Sequence, residues 1–96
     1  MTRYTVVWDQ FVERQFILAW VNGNSITRSV LTEVANWLDH TLKLDPETKG
    51  KSAAETNTQT IDVPISTLTA SITATYQLFH ADRQVRIVRI VFRLTS

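Results

Sequence analysis

The chain contains no cysteine among its 96 residues and has no long apolar run. Without cysteine, neither a disulfide framework nor a thiolate metal site can form. No apolar stretch approaches the roughly 18 residues of a membrane-spanning helix. The first residues also lack the apolar segment of a secretory signal peptide. We therefore expect a cytoplasmic protein without a membrane partner.

The size and composition predict one globular domain that covers residues 1–96. Hydrophobic residues make up 44% of the chain and charged residues 20%, which is ordinary for a folded protein and argues against disorder. A chain of this length buries roughly 60–65% of its unfolded surface. It therefore has room for one modest core and for no separate catalytic and binding domains.

The charges are distributed unevenly along the chain, although its net charge is only +1. Residues 1–48 hold four basic and six acidic side chains, a balance of −2. Residues 49–96 hold six basic and three acidic side chains, a balance of +3. A basic second half is compatible with an anionic partner, and equally with ordinary solvated charges.

The first half of the chain predicts a strand followed by two helices. Residues 4–8 are rich in β-branched and aromatic residues, which favours a strand. Asp9 is a good N-cap for a helix over residues 10–21, and Gly23 suits a left-handed C-terminal cap. Ser25 or Thr27 could cap a second helix. That helix should run to about Lys43 and bury a stripe of Leu31, Val34, Ala35, Leu38 and Leu42.

The second half predicts a loop and then strands. Residues 46–56 are polar and indicate a loop, and residues 57–63 could form a strand that Pro64 limits to an edge or an end. Two further strands, 70–79 and 85–94, are joined by a short polar connector as a long hairpin. In the last strand, alternation predicts that Arg86, Val88, Ile90, Phe92 and Leu94 face the helices, with Val85, Ile87, Arg89, Val91 and Arg93 opposite.

The resulting order, β-α-α-β-β-β, predicts an α+β fold with a small antiparallel sheet and two N-terminal helices packed on one face. With this order, the chain resembles the bacterial toxin family that includes RelE and ParE. The likeness lies in the opening strand Tyr4–Trp8 and in a second helix that closes with Leu44-Asp45-Pro46. It also lies in Tyr76-Gln-Leu78 and in Val85-Arg-Ile-Val-Arg-Ile-Val91.

The resemblance implies a partner and a target. RelE-like members cut messenger RNA in the ribosome, ParE-like members act on DNA gyrase, and a cognate antitoxin holds both kinds inactive. Thr73 stands where RelE-like members carry an arginine, and Phe92 where many carry a histidine. The resemblance therefore favours binding of gyrase type or of an antitoxin over cleavage. An mRNA endonuclease with a non-standard basic site, and a degenerate interaction module that forms a homodimer, stay open as alternatives.

The basic residues of the second half are the candidate target-binding residues. Arg89 and Arg93 share one parity on the last strand, and arginine grips phosphate or carboxylate with two hydrogen bonds. The loop residues Lys49 and Lys51 and the turn residue Arg83 extend this set. We expect Arg86, which interrupts the apolar parity, to lie at a sheet margin or to pair with Asp62 or Asp82.

Other reactive groups are scarce. His40 and His80 are the two histidines, and we expect them far apart, so neither a metal site nor a catalytic dyad is predicted. Gly50-Lys51-Ser52 lacks the upstream glycine and the preceding strand of a phosphate-binding loop. The sequence therefore predicts neither a cofactor nor a metal.

Overall fold

A computed structural model describes residues 3–53, 55–64 and 70–94 of the chain. Two helices and five strands account for most of these residues. Within them, no helix is long and apolar enough to cross a membrane. The elements in chain order are β1 (Thr5–Trp8), α1 (Gln10–Asn22), α2 (Ser25–Leu42), a short 3-10 helix (Pro46–Thr48), β2 (Lys51–Ser52), β3 (Thr58–Val63), β4 (Ala70–Phe79) and β5 (Gln84–Leu94).

The five strands form one sheet in the order β1-β5-β4-β3-β2. Strands β2 to β5 pair antiparallel with their neighbours, whereas β1 pairs with β5 in parallel. The sheet is therefore mixed, and the predicted α+β class with two N-terminal helices is confirmed. The parallel pair arises because both helices and three strands separate β1 from β5, a connection long enough for a crossover. The short strand β2 lies inside the segment that was predicted to be a loop.

The hydrophobic core lies between α2 and one face of the sheet. Val34, Leu38 and Leu42 of α2 are fully buried, as the predicted stripe requires. They contact the inward side chains of β3, β4 and β5, among them Ile61 and Tyr76. This helix-covered side of the sheet is called the inner face below.

The helix ends follow the predictions in part. Asp9 caps α1 as expected, since its carboxylate accepts a hydrogen bond from the backbone N–H of Phe11. Gly23 is extended (φ −86°) rather than left-handed, so that prediction was wrong. The Arg28 side chain donates to the carbonyls of Trp20 and Val21, and the backbone N–H of Gly23 also donates to Trp20, so the end of α1 is satisfied without a left-handed cap.

The second helix is capped one residue earlier than predicted. Asn24, and neither Ser25 nor Thr27, is its N-cap, and the side-chain oxygen of Asn24 accepts from the backbone N–H of Thr27. Asparagine and serine are comparably good caps, so composition alone does not choose between neighbouring positions.

The buried hydroxyl of Tyr76 holds the segment that leads into β2. It lies 2.8 Å from the carbonyl oxygen of Pro46 and 2.7 Å from Oε1 of Gln59. Gly50 passes close to the same hydroxyl, and a Cβ atom there would lie 2.5 Å from it and 2.5 Å from the Thr60 carbonyl oxygen. These contacts with the buried Tyr76 therefore fix the backbone of residues 46–50, which leads into β2 at Lys51.

Replacing Tyr76 with phenylalanine should lower the free energy of unfolding by about 1–2 kcal/mol, because it removes a buried hydroxyl that bonds the Pro46 carbonyl and the side chain of Gln59. Tyr4→Phe is the matched control: its hydroxyl bonds Nδ1 of His80 at 3.0 Å, and the exposed imidazole of His80 can bond water once that hydroxyl is lost. Urea unfolding of the three proteins measures the difference. An equal cost for both variants would contradict the anchoring role of Tyr76.

The difference in stability between the wild type and Tyr76→Phe should depend on pH in alkaline solution. Burial raises the pKa of Tyr76 to about 12, above the value of about 10 for tyrosine in an unfolded chain. The folded state keeps this proton longer, so its stabilisation is complete below pH 10 and is lost as the pH approaches 12. The advantage of the wild type over Tyr76→Phe should therefore shrink between pH 9 and pH 12. A constant difference across that interval would contradict the assignment.

Candidate functional site

A β-bulge in β5 determines which side chains of that strand point away from the helices. Tyr76 of β4 lies opposite Ile87, whereas its neighbour Thr75 lies opposite Arg89. Val88 therefore has no partner on β4. An extra residue in one strand shifts the alternation of side chains by one from that point on.

The bulge corrects the prediction for the first half of β5. Val85 and Ile87 were expected to point away from the helices, but both are fully buried in the core. Arg86 was expected on the helix-facing parity, and it is exposed on the opposite side, across from Gln77. After the bulge, Ile90 lies opposite the buried Ala74, so the predicted parity holds there.

The side of the sheet opposite the inner face is called the open face, since no helix in the described part of the chain covers it. Cross-strand partners share a face, and the register therefore aligns one residue from each of four strands. These residues, called the cationic row, are Lys51, Thr60, Thr75 and Arg89. At about 4.8 Å per strand, roughly 14 Å separates the backbones of Lys51 and Arg89 at the two ends of the row. Both ends of the row are exposed, with threonine hydroxyls between them.

Arg86 adds a third cation to the open face. Its guanidinium carbon lies 5.7 Å from the ring centroid of Phe79, within the range of a cation–π contact. In the described residues it forms no ion pair with Asp62 or Asp82, so the predicted pairing was wrong. The Asp62 carboxylate instead accepts from the hydroxyl of Thr73 at 3.0 Å.

The other predicted site residues lie outside this group. Lys49 follows the 3-10 helix, and Arg83 sits in the β4–β5 turn with a φ of 50°. Arg93 belongs to β5 and lies opposite Ser71 in the register, but its side chain lies outside the described residues. The structure thus brings together Lys51 and Arg89 of the predicted set and adds Arg86.

Groups that could transfer a proton lie elsewhere in the described part of the chain. His40 is on α2, and His80 ends the hairpin arm beside Tyr4. Burial raises the pKa of the Tyr4 hydroxyl, and the nearby Glu47 carboxylate raises it further, so Tyr4 stays neutral. The open face can therefore hold an anion but offers no tyrosine or histidine for acid–base chemistry in its described residues. None of these residues form a cluster of acidic and histidine side chains that could hold a metal ion.

The sequence-based prediction placed Arg86 on the wrong face because it applied one alternation to the whole of β5. A signal was present, since apolar residues fill positions 85 and 87 and then 90 and 92, out of phase with each other. Such a change of phase inside one strand indicates a bulge.

Comparison with solved structures identifies the fold. The RelBE2 toxin–antitoxin complex from Mycobacterium tuberculosis matches with a TM-score of 0.69 and 19% identity, over 97% of this chain and 94% of the other. The intact E. coli RelBE complex matches with a TM-score of 0.53 and 13% identity, over 97% and 96%. The free E. coli toxin RelE, in a mutant form, matches with a TM-score of 0.52 and 10% identity, over 94% and 82%.

These likenesses show that the chain has a RelE-like toxin fold, which confirms the resemblance at the level of the fold. No protein-family model matches the sequence, and no curated protein matches it either. The comparison with solved structures therefore establishes the fold alone, and it identifies neither a target nor an activity.

Deleting Val88 should unfold the protein or cost more than about 3 kcal/mol of stability, because it forces either Arg86 or part of the apolar set onto the wrong face. Val88→Ala keeps the chain length and should cost only about 1 kcal/mol. Thermal unfolding followed by circular dichroism compares the two variants. A stable deletion variant would mean that the bulge does not set the facing of β5.

Proposed function

We propose that this chain is the toxin component of a toxin–antitoxin pair and acts by binding a macromolecular target through its open face. The observation that carries the proposal is the position of Lys51, Arg86 and Arg89 on one exposed surface of a RelE-like fold. An antitoxin partner is supported by the solved neighbours, two of which are toxin–antitoxin complexes.

A protein target of the gyrase type fits the character of this surface. Between and beside the three cations lie threonines, the carboxylate of Asp62 and the apolar side chain of Val91. A mixed surface of this kind suits a protein partner with acidic and polar groups. Arginine can bind carboxylates as well as phosphates with two hydrogen bonds, so the cations serve a protein target equally well.

A second candidate function is the binding and cleavage of messenger RNA. It is favoured by Arg86 over Phe79, since an arginine plane or an aromatic ring can stack on an unpaired base. The cationic row would then contact phosphates beside the stacked base. The absence of a tyrosine or histidine from the described open face counts against efficient cleavage, because a 2′-hydroxyl needs a proton acceptor.

Induced expression in bacteria tests the proposal. Wild type should arrest growth, and Arg86→Ala/Arg89→Ala should relieve the arrest while remaining folded and equally abundant. Arg3→Ala/Lys43→Ala is the matched control: it also removes two exposed positive charges but leaves the open face unchanged, so arrest should persist.

Two assays then distinguish the two targets. If the protein inhibits DNA supercoiling by purified gyrase, and the transcripts in the arrested cells stay intact, the protein target is supported. Cleaved transcripts with normal supercoiling support the second candidate. No arrest by folded wild type would contradict the toxin function and leave an interaction module as the remaining explanation.

A further inference from the structure

The charged residues of the strands are cations with one exception, which is Asp62. It is the only acidic residue of the five described strands. The basic residues of these strands are Lys51, Arg86, Arg89 and Arg93. Asp62 is exposed, whereas its neighbours Ile61 and Val63 are buried in the core. Because side chains alternate along a strand, the carboxylate of Asp62 leaves the sheet on the open face, beside the cationic row.

This carboxylate is held in place without being neutralised. Its Oδ1 accepts a hydrogen bond from the hydroxyl of Thr73, the cross-strand partner of Asp62, at 3.0 Å. It forms no ion pair within the described residues, although Lys51 lies on the adjacent strand. An exposed hydrogen bond of this kind adds little to stability, because water can bond both groups in its absence. The fold therefore explains the position of the carboxylate, but it does not require a negative charge there.

Asp62 lies beside the path that a phosphate chain would follow along the cationic row. It is two residues from Thr60 on β3, which corresponds to about 7 Å along the strand. Lys51 is directly opposite Thr60 on one side, and Arg89 lies two strands away on the other side. A phosphate bound between these two cations, over Thr60, would thus lie roughly 7 Å from Asp62.

Electrostatic repulsion at this distance is large enough to change an affinity. Two like unit charges about 7 Å apart in water repel each other by about the thermal energy, which corresponds to a factor of about three in a binding constant. Every nucleotide brings a phosphate, so a polynucleotide that follows the row cannot avoid this contact. A protein surface can avoid it, because it can place carboxylates on the cations and a lysine or arginine beside Asp62.

We propose that Asp62 is a specificity-determining residue that disfavours single-stranded RNA on the cationic row relative to a protein target. This inference rests on the proposed function, since it concerns the class of target that the open face accepts. Discrimination between partners can come from an unfavourable contact with the wrong partner as well as from favourable contacts with the right one. The cations attract either kind of partner, and Asp62 repels only the one that carries a phosphate chain.

Binding of a short fluorescein-labelled single-stranded RNA to the purified proteins tests this inference. Fluorescence anisotropy at 20 mM salt should show that Asp62→Asn binds the RNA about threefold more tightly than wild type. Asparagine can still accept from the Thr73 hydroxyl, so the pairing of β3 with β4 is preserved. At 300 mM salt the gain should largely disappear, because the screening length then falls below the distance between the charges.

Glu33→Gln is the matched control. It makes the same change in net charge at an exposed position of α2, on the helix-covered side of the sheet, and should leave the RNA affinity close to that of wild type. The gain from Asp62→Asn should also shrink in the Arg86→Ala/Arg89→Ala background, because the phosphates are then no longer held beside residue 62. A purely structural role of Asp62 predicts neither this coupling nor the salt dependence.

The inference is overturned if Asp62→Asn binds RNA no more tightly than Glu33→Gln. It is equally overturned if the gain persists unchanged without the two arginines, or if neither wild type nor Asp62→Asn binds RNA at 20 mM salt. Cleavage of the RNA by wild type that Asp62→Asn abolishes would overturn it in favour of Asp62 as a proton acceptor. Absence of growth arrest by folded wild type would remove the toxin proposal alone and leave the RNA result standing.

Discussion

The β-bulge at Val88 is the constraint on which the arrangement of the open face depends. Without it, one alternation would run through β5, and Arg86 and Arg89 would leave the sheet on opposite sides. With it, both arginines point away from the helices, while Val85, Ile87 and Ile90 all serve the core. One unpaired residue thus lets a single strand supply an apolar inner side and two neighbouring cations.

The second constraint is a polar contact inside the core. Tyr76 is fully buried, yet its hydroxyl reaches the backbone of Pro46 and the side chain of Gln59. Because Gly50 has no side chain, the chain can pass that hydroxyl and enter β2 at Lys51. The lysine end of the cationic row is therefore fixed from the inner side of the sheet, and the arginine end is fixed by the bulge.

The sequence was a good guide wherever one local pattern decided the structure. The buried stripe of α2 and the Asp9 cap were both recognisable because each depends only on residues close together in the sequence. It failed where a distant contact decided. The Arg28 side chain, and no left-handed glycine, satisfies the end of α1, and the register against β4 rather than propensity creates the bulge. The parallel partner of β1 likewise depends on topology, which no local pattern records.

Asp9 links the start of helix α1 to strand β5. Its carboxylate caps α1, and its backbone N–H donates to the carbonyl of Ile87, the residue before the bulge. Helix α1 therefore begins at the point where β5 changes the facing of its side chains. Loosening of the first turn of α1 would also remove a hydrogen bond from the residue that precedes the bulge, so the helix start and the arrangement of the open face depend on one another.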